Sequence, residues 1–240
     1  MPRFPINSKQ IQGNTAVISG DEFIHIYRVL RLGVNDQIEL FDENENEYRC
    51  RINEIQKKEM QVEILEKFKN TKESLVEIYL FQSIPKGSKI DLIIQKTTEL
   101  GVNSITPIKT KRGLVLESRK SERWSKIALE ACKQCGRSKP PVINNFIDFK
   151  DIPDLLKKED LNLLFYENQK SGLKEHLIGN RTDYKKINLI IGPEGGFTDQ
   201  EIVYAEKNGI TIVGLGPRIL RVETASITAV SVIQYHFGDL

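Results

Sequence analysis

The sequence predicts an α/β protein in two parts: a small β-rich domain over residues 1–70, then, from residue 75, a domain built on a mostly parallel sheet. Three observations carry this. Residues 1–70 hold short apolar runs with partial alternation between turn-rich or charged segments, which is strand texture. From residue 75 strand and helix patterns alternate, which implies a parallel sheet covered on both faces. Two late apolar runs stop at glycine-rich corners and pass at once into helix starts, and ligands of such sheets sit beyond the carboxyl ends of the strands.

In the first part, residues 16–19, 37–41, 48–55 and 60–65 read as strands, with DENENE (42–47) as an acidic hairpin tip. One helix, about residues 21–32, interrupts them, and the set suggests a small β-barrel. KNTKES (69–74) is polar and reads as the linker.

In the second part, VEIYLFQSI is a strand and SKIDLIIQKTTEL a helix stopped at Gly101. SITPIKT is a strand, and SERWSKIALEACKQCG an amphipathic helix ending at Gly136. LNLLFYE and INLIIG are apolar on both faces, as buried parallel strands are. TDQEIVYAEKNG is a helix whose Thr198 and Glu201 have capping-box spacing. TIVGLG is a strand, and VETASITAVSVIQYHF a closing helix of high apolar content.

Composition narrows the class. No apolar stretch approaches a membrane span, and MPRFPINSKQ lacks a secretory core, so a cytoplasmic protein with no membrane partner is expected. Three cysteines make no disulfide framework. Cys132 and Cys135 form a C-x-x-C late in a helix, without further ligands for a tetrahedral site, so no metal is expected. Net charge is only +2, but residues 109–139 carry ten basic residues (Lys109, Lys111, Arg112, Arg119, Lys120, Arg123, Lys126, Lys133, Arg137 and Lys139) against Glu117, Glu122 and Glu130. That excess is either an electrostatic footprint for a polyanion or a solvated helix face.

GPEGGF (192–197) fails both common phosphate-loop patterns. A P-loop needs a lysine directly after its glycines, and here none follows until Lys207. A dinucleotide fingerprint needs G-x-G-x-x-G in the first βα unit, whereas this loop comes late. A second corner, IVGLGPRILRVETAS (212–226), brings Arg218, Arg221 and Glu223 within six residues, and a third strand end carries Glu167. Three loops on one sheet edge can converge on one pocket, and glycine backbone on two of them suits a flat ring laid against main chain. Glu194, just ahead of the helix that begins at Thr198, either stabilises that N-terminus or touches the chemistry.

GPEGGF followed by LGPRILRVETA resembles the SPOUT superfamily of S-adenosylmethionine-dependent RNA methyltransferases, and is most similar to the RsmE family, which methylates N3 of a uridine in small-subunit (16S) ribosomal RNA. PRF near the N-terminus, the H-x-x-RVLR segment from His25 to Arg31, IQKTTELGV and EACKQCGR extend the resemblance over nearly the whole chain. It implies a PUA-like β-barrel over 1–70 and a SPOUT α/β domain with a C-terminal trefoil knot over 75–240. It also implies a homodimer formed through the knotted domain by the closing helix, and small-subunit ribosomal RNA or the assembled small subunit as partner. The cofactor S-adenosylmethionine, leaving as S-adenosylhomocysteine, would lie on Leu164, Phe165, Tyr166, Glu167, Ile191, Gly192, Pro193, Glu194, Gly195, Gly196, Gly214, Leu215, Gly216, Ile219, Leu220 and Arg221.

Chemistry suggests roles. Uracil N3 must lose its proton and the resulting anion must be stabilised, which suits an arginine fork: Arg221 first, Arg218 second. A carboxylate takes the proton or steers another group, with Glu223 ahead of Glu194. The alternative is that Arg221 and Glu223 pair to brace the loop. In DEFIHIYRVLRL, Phe23, Ile26 and Leu30 fall on one helical face and His25, Arg28 and Arg31 on the other, a stripe for RNA phosphate together with Arg3, Arg112 and Arg137. Lys86 and Lys89 line the entrance. Two other functions fit the same residues, a non-catalytic RNA-binding or ribosome-assembly factor and a SPOUT enzyme acting on transfer RNA.

Overall fold

The computed structural model describes residues 1–114, 121–178 and 183–240. Glu117, Arg119 and Lys120 of the basic region lie outside them. The chain divides into two compact units, residues 1–73 with 132–139, and residues 74–131 with 140–240.

The first unit is built on a six-stranded sheet of β1 (Arg3–Pro5), β2 (Ile11–Gln12), β3 (Thr15–Ser19), β4 (Gln37–Phe41), β5 (Asn46–Ile55) and β6 (Glu59–Lys69), in the order β1-β4-β5-β6-β3-β2. Alternation places Ile38, Leu40, Ile52, Met60 and Val62 in one core with Phe4, Phe23 and Ile26. The acidic tip folds around Asp42, whose carboxylate accepts from the Asn44 and Asn46 amides (both 2.9 Å) and the Tyr48 hydroxyl (2.8 Å). Burial opposes charge on Asp42, but the hydrogen bonds from Asn46, Tyr48 and Asn44 together outweigh it and hold the carboxyl below its ordinary range.

The helix expected over 21–32 breaks in two. A short α1 (Gly20–Ile24) runs into a single π turn, His25–Val29. The wider turn changes the register, so Phe23 and Ile26 are buried while Leu30, expected on the same face, is 41% exposed. Arg31 then takes a left-handed backbone (φ 57°), uncommon for a non-glycine residue.

In the second unit the strands β7 (Glu77–Ser83), β8 (Ser104–Lys109), β9 (Val142–Ile143), β10 (Ile147–Asp148), β11 (Leu161–Phe165), β12 (Lys186–Ile191) and β13 (Thr211–Val213) pair in parallel. Their order is β10-β8-β7-β12-β11-β13, with β9 also on β8. Period-two alternation splits each strand between two cores. Leu163, Phe165, Leu189 and Ile191 join the core beneath α2 (Lys89–Glu99), α3 (Ser121–Cys135) and α6 (Val222–Phe237), which contribute Ile93, Trp124, Val230 and Ile233. Leu164 and Ile190 join the opposite core, with Phe149, Phe197 and Ala205 of α5 (Asp199–Lys207). Burying Val230 and Ile233 is worth about 1.5–3 kcal/mol each. The expected strands and helices of this unit all form; β9, β10, the 3-10 turn Phe149–Leu155 and α4 (Leu173–Ile178) are additions.

This order sets the position of the site. β12 lies beside β11, and β13 lies on the far side of β11. The loops leaving β11, β12 and β13 therefore emerge side by side at the carboxyl edge.

Candidate active site

Those loops enclose a cleft lined by Phe165, Tyr166 and Glu167 from the first, Ile191, Gly192, Pro193 and Gly196 from the second, and Leu215, Gly216, Arg218 and Leu220 from the third, closed by Val222 and Ala225 of α6. Its walls are mainly apolar side chains and glycine backbone, a surface suited to a flat ring. A second cleft shares Glu167, Pro193, Gly196, Leu220 and Val222 with it and adds Lys89, Glu194, Ile219 and Arg221. Two cavities with a common wall give room for two ligands in contact.

The second loop is tightly constrained. A Cβ on Gly192 would stand 2.8 Å from the Phe197 ring. Gly196 is left-handed (φ +68°), and the Glu167 carboxylate lies over it. Arg112 donates to the carbonyls of Gly195 (2.9 Å) and Phe197 (3.4 Å). Thr198 and Glu201 form the expected capping box, and Glu201 also accepts from the Lys111 amide at 2.9 Å. Glu194 has a different partner: it takes a hydrogen bond from the Lys89 ammonium and another from the Lys86 amide (3.4 Å). The Lys89 hydrogen bond, chiefly, holds the Glu194 carboxyl below its ordinary range.

The third loop is open. Gly216 (φ +92°) has nothing within 4 Å of the place a Cβ would occupy, and Ile219 is 85% exposed. Arg218 and Arg221 are exposed and, among the described residues, carry no ion pair. Arg221 stands at the N-cap of α6, its carbonyl accepting from Ala225 at 2.8 Å. It does not pair with Glu223, whose Oε2 is buried with no hydrogen-bond partner.

A profile of an RNA methyltransferase domain matches residues 71–234, and one of an RNA methyltransferase PUA domain matches residues 18–65. The chain belongs to the RNA methyltransferase family. It is 33% identical to the Bacillus subtilis ribosomal RNA small subunit methyltransferase E, over 92% of this chain and 90% of that protein. It is 35% identical to the Rickettsia conorii protein of the same name, over 97% and 94%. A crystal structure of ribosomal RNA small subunit methyltransferase E from Neisseria gonorrhoeae bound to S-adenosyl methionine superposes with a TM-score of 0.90 at 32% identity, covering 100% of this chain and 99% of that one.

As an RNA methyltransferase, this chain gathers most but not all of the residues singled out in its sequence. Phe165, Tyr166, Glu167, Ile191, Gly192, Pro193, Gly196, Leu215, Gly216 and Leu220 line the first cleft, and Glu194, Ile219 and Arg221 the second. Arg218 lines the first cleft and not the second. Leu164 does not belong: alternation turns it into the core on the other face of the sheet. Gly195 packs on Arg112, and Gly214 fits under the Gln169 carbonyl, where a Cβ would stand at 2.6 Å. Glu223 lines neither cleft.

The cations need larger corrections. Arg3 is buried between Glu47 and Glu39. Arg137 is 3% exposed and pairs with Glu73 at 2.9 Å. Both are held within the first unit by carboxylates and are not the exposed cations expected. Arg112 braces the glycine loop, and Lys89 is held by Glu194. Lys133 pairs with Glu22 at 2.8 Å, so the basic excess of 109–139 is partly spent inside the protein. Burial pushes the Cys132 thiol up to about 12, which leaves it protonated and unreactive.

Proposed function

We propose that this enzyme transfers a methyl group from S-adenosylmethionine to N3 of a uridine in small-subunit (16S) ribosomal RNA. The pair of clefts with a common wall carries the reading: one is apolar and glycine-walled, the other holds Arg221. The names of the similar proteins support the substrate, and the Neisseria gonorrhoeae structure supports the cofactor.

The first cleft fits the cofactor on its own terms. Gly216 leaves open space where a side chain would stand, and Ile191, Leu215, Leu220 and Val222 offer apolar faces. S-adenosylmethionine, when bound, supplies an electrophilic methyl on a cationic sulfur. The chain's residues do the rest. They align donor and acceptor, which is a large part of the barrier. Arg221, which pairs with no carboxylate among the described residues, stabilises the anionic edge of the base. Of the carboxylates, Glu167 is the one on the common wall, and we assign it the N3 proton. Glu194 is a weaker base because Lys89 stabilises its charge, and Glu223 is left to one side.

The rest of the reading is coarser. We infer that the first unit closes as a PUA-type barrel with a boundary near residues 70–75, and that the C-terminal segment threads a trefoil knot, for which the passage from β12 across β11 to β13 is the support. Exposed Tyr235 (77%) on α6 and Leu92 (40%) on α2 support a homodimer through this domain. The setting is the cytoplasm, and either free RNA or the assembled subunit is the substrate.

Calorimetry with S-adenosylmethionine tests the core of this. Micromolar binding is expected; no heat with or without RNA would sink the reading. Mapping the methylated nucleotide in a deletion strain then tests base and position, with loss of a single uridine modification expected. A missing mark on transfer RNA would move the enzyme to another substrate.

A further inference from the structure

In the first unit, the π turn and the residues after it expose apolar side chains that the core does not use. Ile24 is 45% exposed, Tyr27 46%, Val29 64%, Leu30 41% and Val34 51%. Single exposed apolar residues are ordinary, but a run of them over eleven positions marks an interaction surface. Single π turns recur at functional sites, and this one turns Tyr27 and Leu30 outward. Arg31 holds a left-handed backbone at its end (φ 57°), a cost that a structure keeps where the geometry serves something.

The chemistry of the patch selects its partner. The Tyr27 ring is stacked on buried Phe23 (centroids 5.6 Å apart, planes 14° apart), which fixes its plane while leaving it nearly half exposed. Arg28 in that turn and Arg31 two residues beyond it are exposed, and among the described residues neither carries an ion pair. No acidic residue occurs between Phe23 and Asn35. A rigid aromatic plane with two exposed arginines one and four residues along the chain offers what an unpaired RNA strand needs: a face for a base and cations for its phosphates.

We propose that Tyr27 is a stacking platform for an unpaired base of the RNA substrate, with Arg28 and Arg31 holding the adjoining phosphates. The segment is thus more than the phosphate stripe its sequence suggests. This rests on the RNA methyltransferase reading and adds a base contact by residues that line neither cleft.

The test uses the full-length enzyme and single-stranded oligouridylate, with affinity measured across a salt series. Tyr27→Ala should weaken binding roughly 5- to 150-fold, the span of one lost base stack, without changing the salt slope. Tyr27→Phe should restore it. Arg28→Ala should weaken binding and flatten the slope. S-adenosylmethionine affinity, measured in parallel, should be unchanged in all three, which separates this surface from the cofactor site and verifies folding. Wild-type enzyme that ignores the oligonucleotide, or Tyr27→Ala that binds it as wild type does, would overturn the proposal. The second result is also what a protein-docking role for the patch predicts. Loss of cofactor binding by the wild type would instead strike at the proposed function and leave the surface to be judged on its RNA affinity.

Discussion

The two glycine loops of the cleft are alike in sequence and opposite in construction. The loop after β12 is braced at nearly every residue: Phe197 under Gly192, Arg112 on Gly195, Glu167 over Gly196, Lys89 on Glu194, and a capping box behind it. The loop after β13 has open space at Gly216, an exposed Ile219 and two arginines that, among the described residues, have no carboxylate partner. One is a preformed wall, and its order is already met in the folded chain. The other keeps its charge uncommitted for a ligand.

If that contrast is right, the largest catalytic loss comes from the open loop. Arg221→Ala should lower kcat roughly 100- to 1,000-fold, the usual cost of one donor to a developing anion, with the melting temperature unchanged because the side chain is exposed and unpaired. Arg221→Lys should recover little, since a point charge does not replace a fork. Single-turnover methylation measures both. A rate within a few-fold of wild type would place the chemistry elsewhere. Glu167→Gln, by the same assay, should lower the rate, because an amide cannot take the N3 proton.

The largest stability loss belongs to the braced loop. Gly192→Ala drives a methyl into the Phe197 ring and should cost about 1–3 kcal/mol by urea denaturation, as overpacking does, with weaker cofactor binding. Gly216→Ala meets no neighbour, so only its left-handed backbone is penalised, about 1–2 kcal/mol. Equal losses of cofactor affinity in the two variants would erase the distinction between the walls. Arg112→Ala is gentler. It removes two donors to loop carbonyls, about 0.5–1.5 kcal/mol each, and should raise KM for the cofactor with kcat unchanged.

How much of this was readable from residues depends on distance along the chain. The capping box at Thr198 and Glu201 and the full extent of α6 followed from local spacing. Leu164 was misplaced although period-two alternation between Leu163 and Phe165 already turns it away. The ion pairs of Arg3 and Arg137 were not readable, because their partners Glu47 and Glu73 lie 44 and 64 residues away. Nor was the π turn, since no propensity announces one extra residue in a helix, and that residue decides which way Leu30 faces. That three loops could converge was legible from their place at the carboxyl ends of parallel strands; the strand order that sets them side by side, and which carboxylate stands on the common wall, were not.

The smallest expected effect concerns the tie between Glu194 and Lys89, the one brace of the rigid loop that is an exposed ion pair, with side chains 31% and 38% accessible. Glu194 titrates below its ordinary value of 4.5 in the folded chain. Its contribution is therefore full above 4.5, where folded and unfolded forms are both ionised, and is lost as pH falls through the lower folded value. Lys89→Met should thus be less stable than wild type by about 0.2–1 kcal/mol at neutral pH, the range of screened surface pairs, and the two should converge in acid. High salt should also close the gap. A gap that persists at pH 2 or in 1 M salt, on the order of the Debye screening limit, would mean that Lys89 supports the loop through the packing of its methylenes, and the braced wall would owe nothing to charge at that corner.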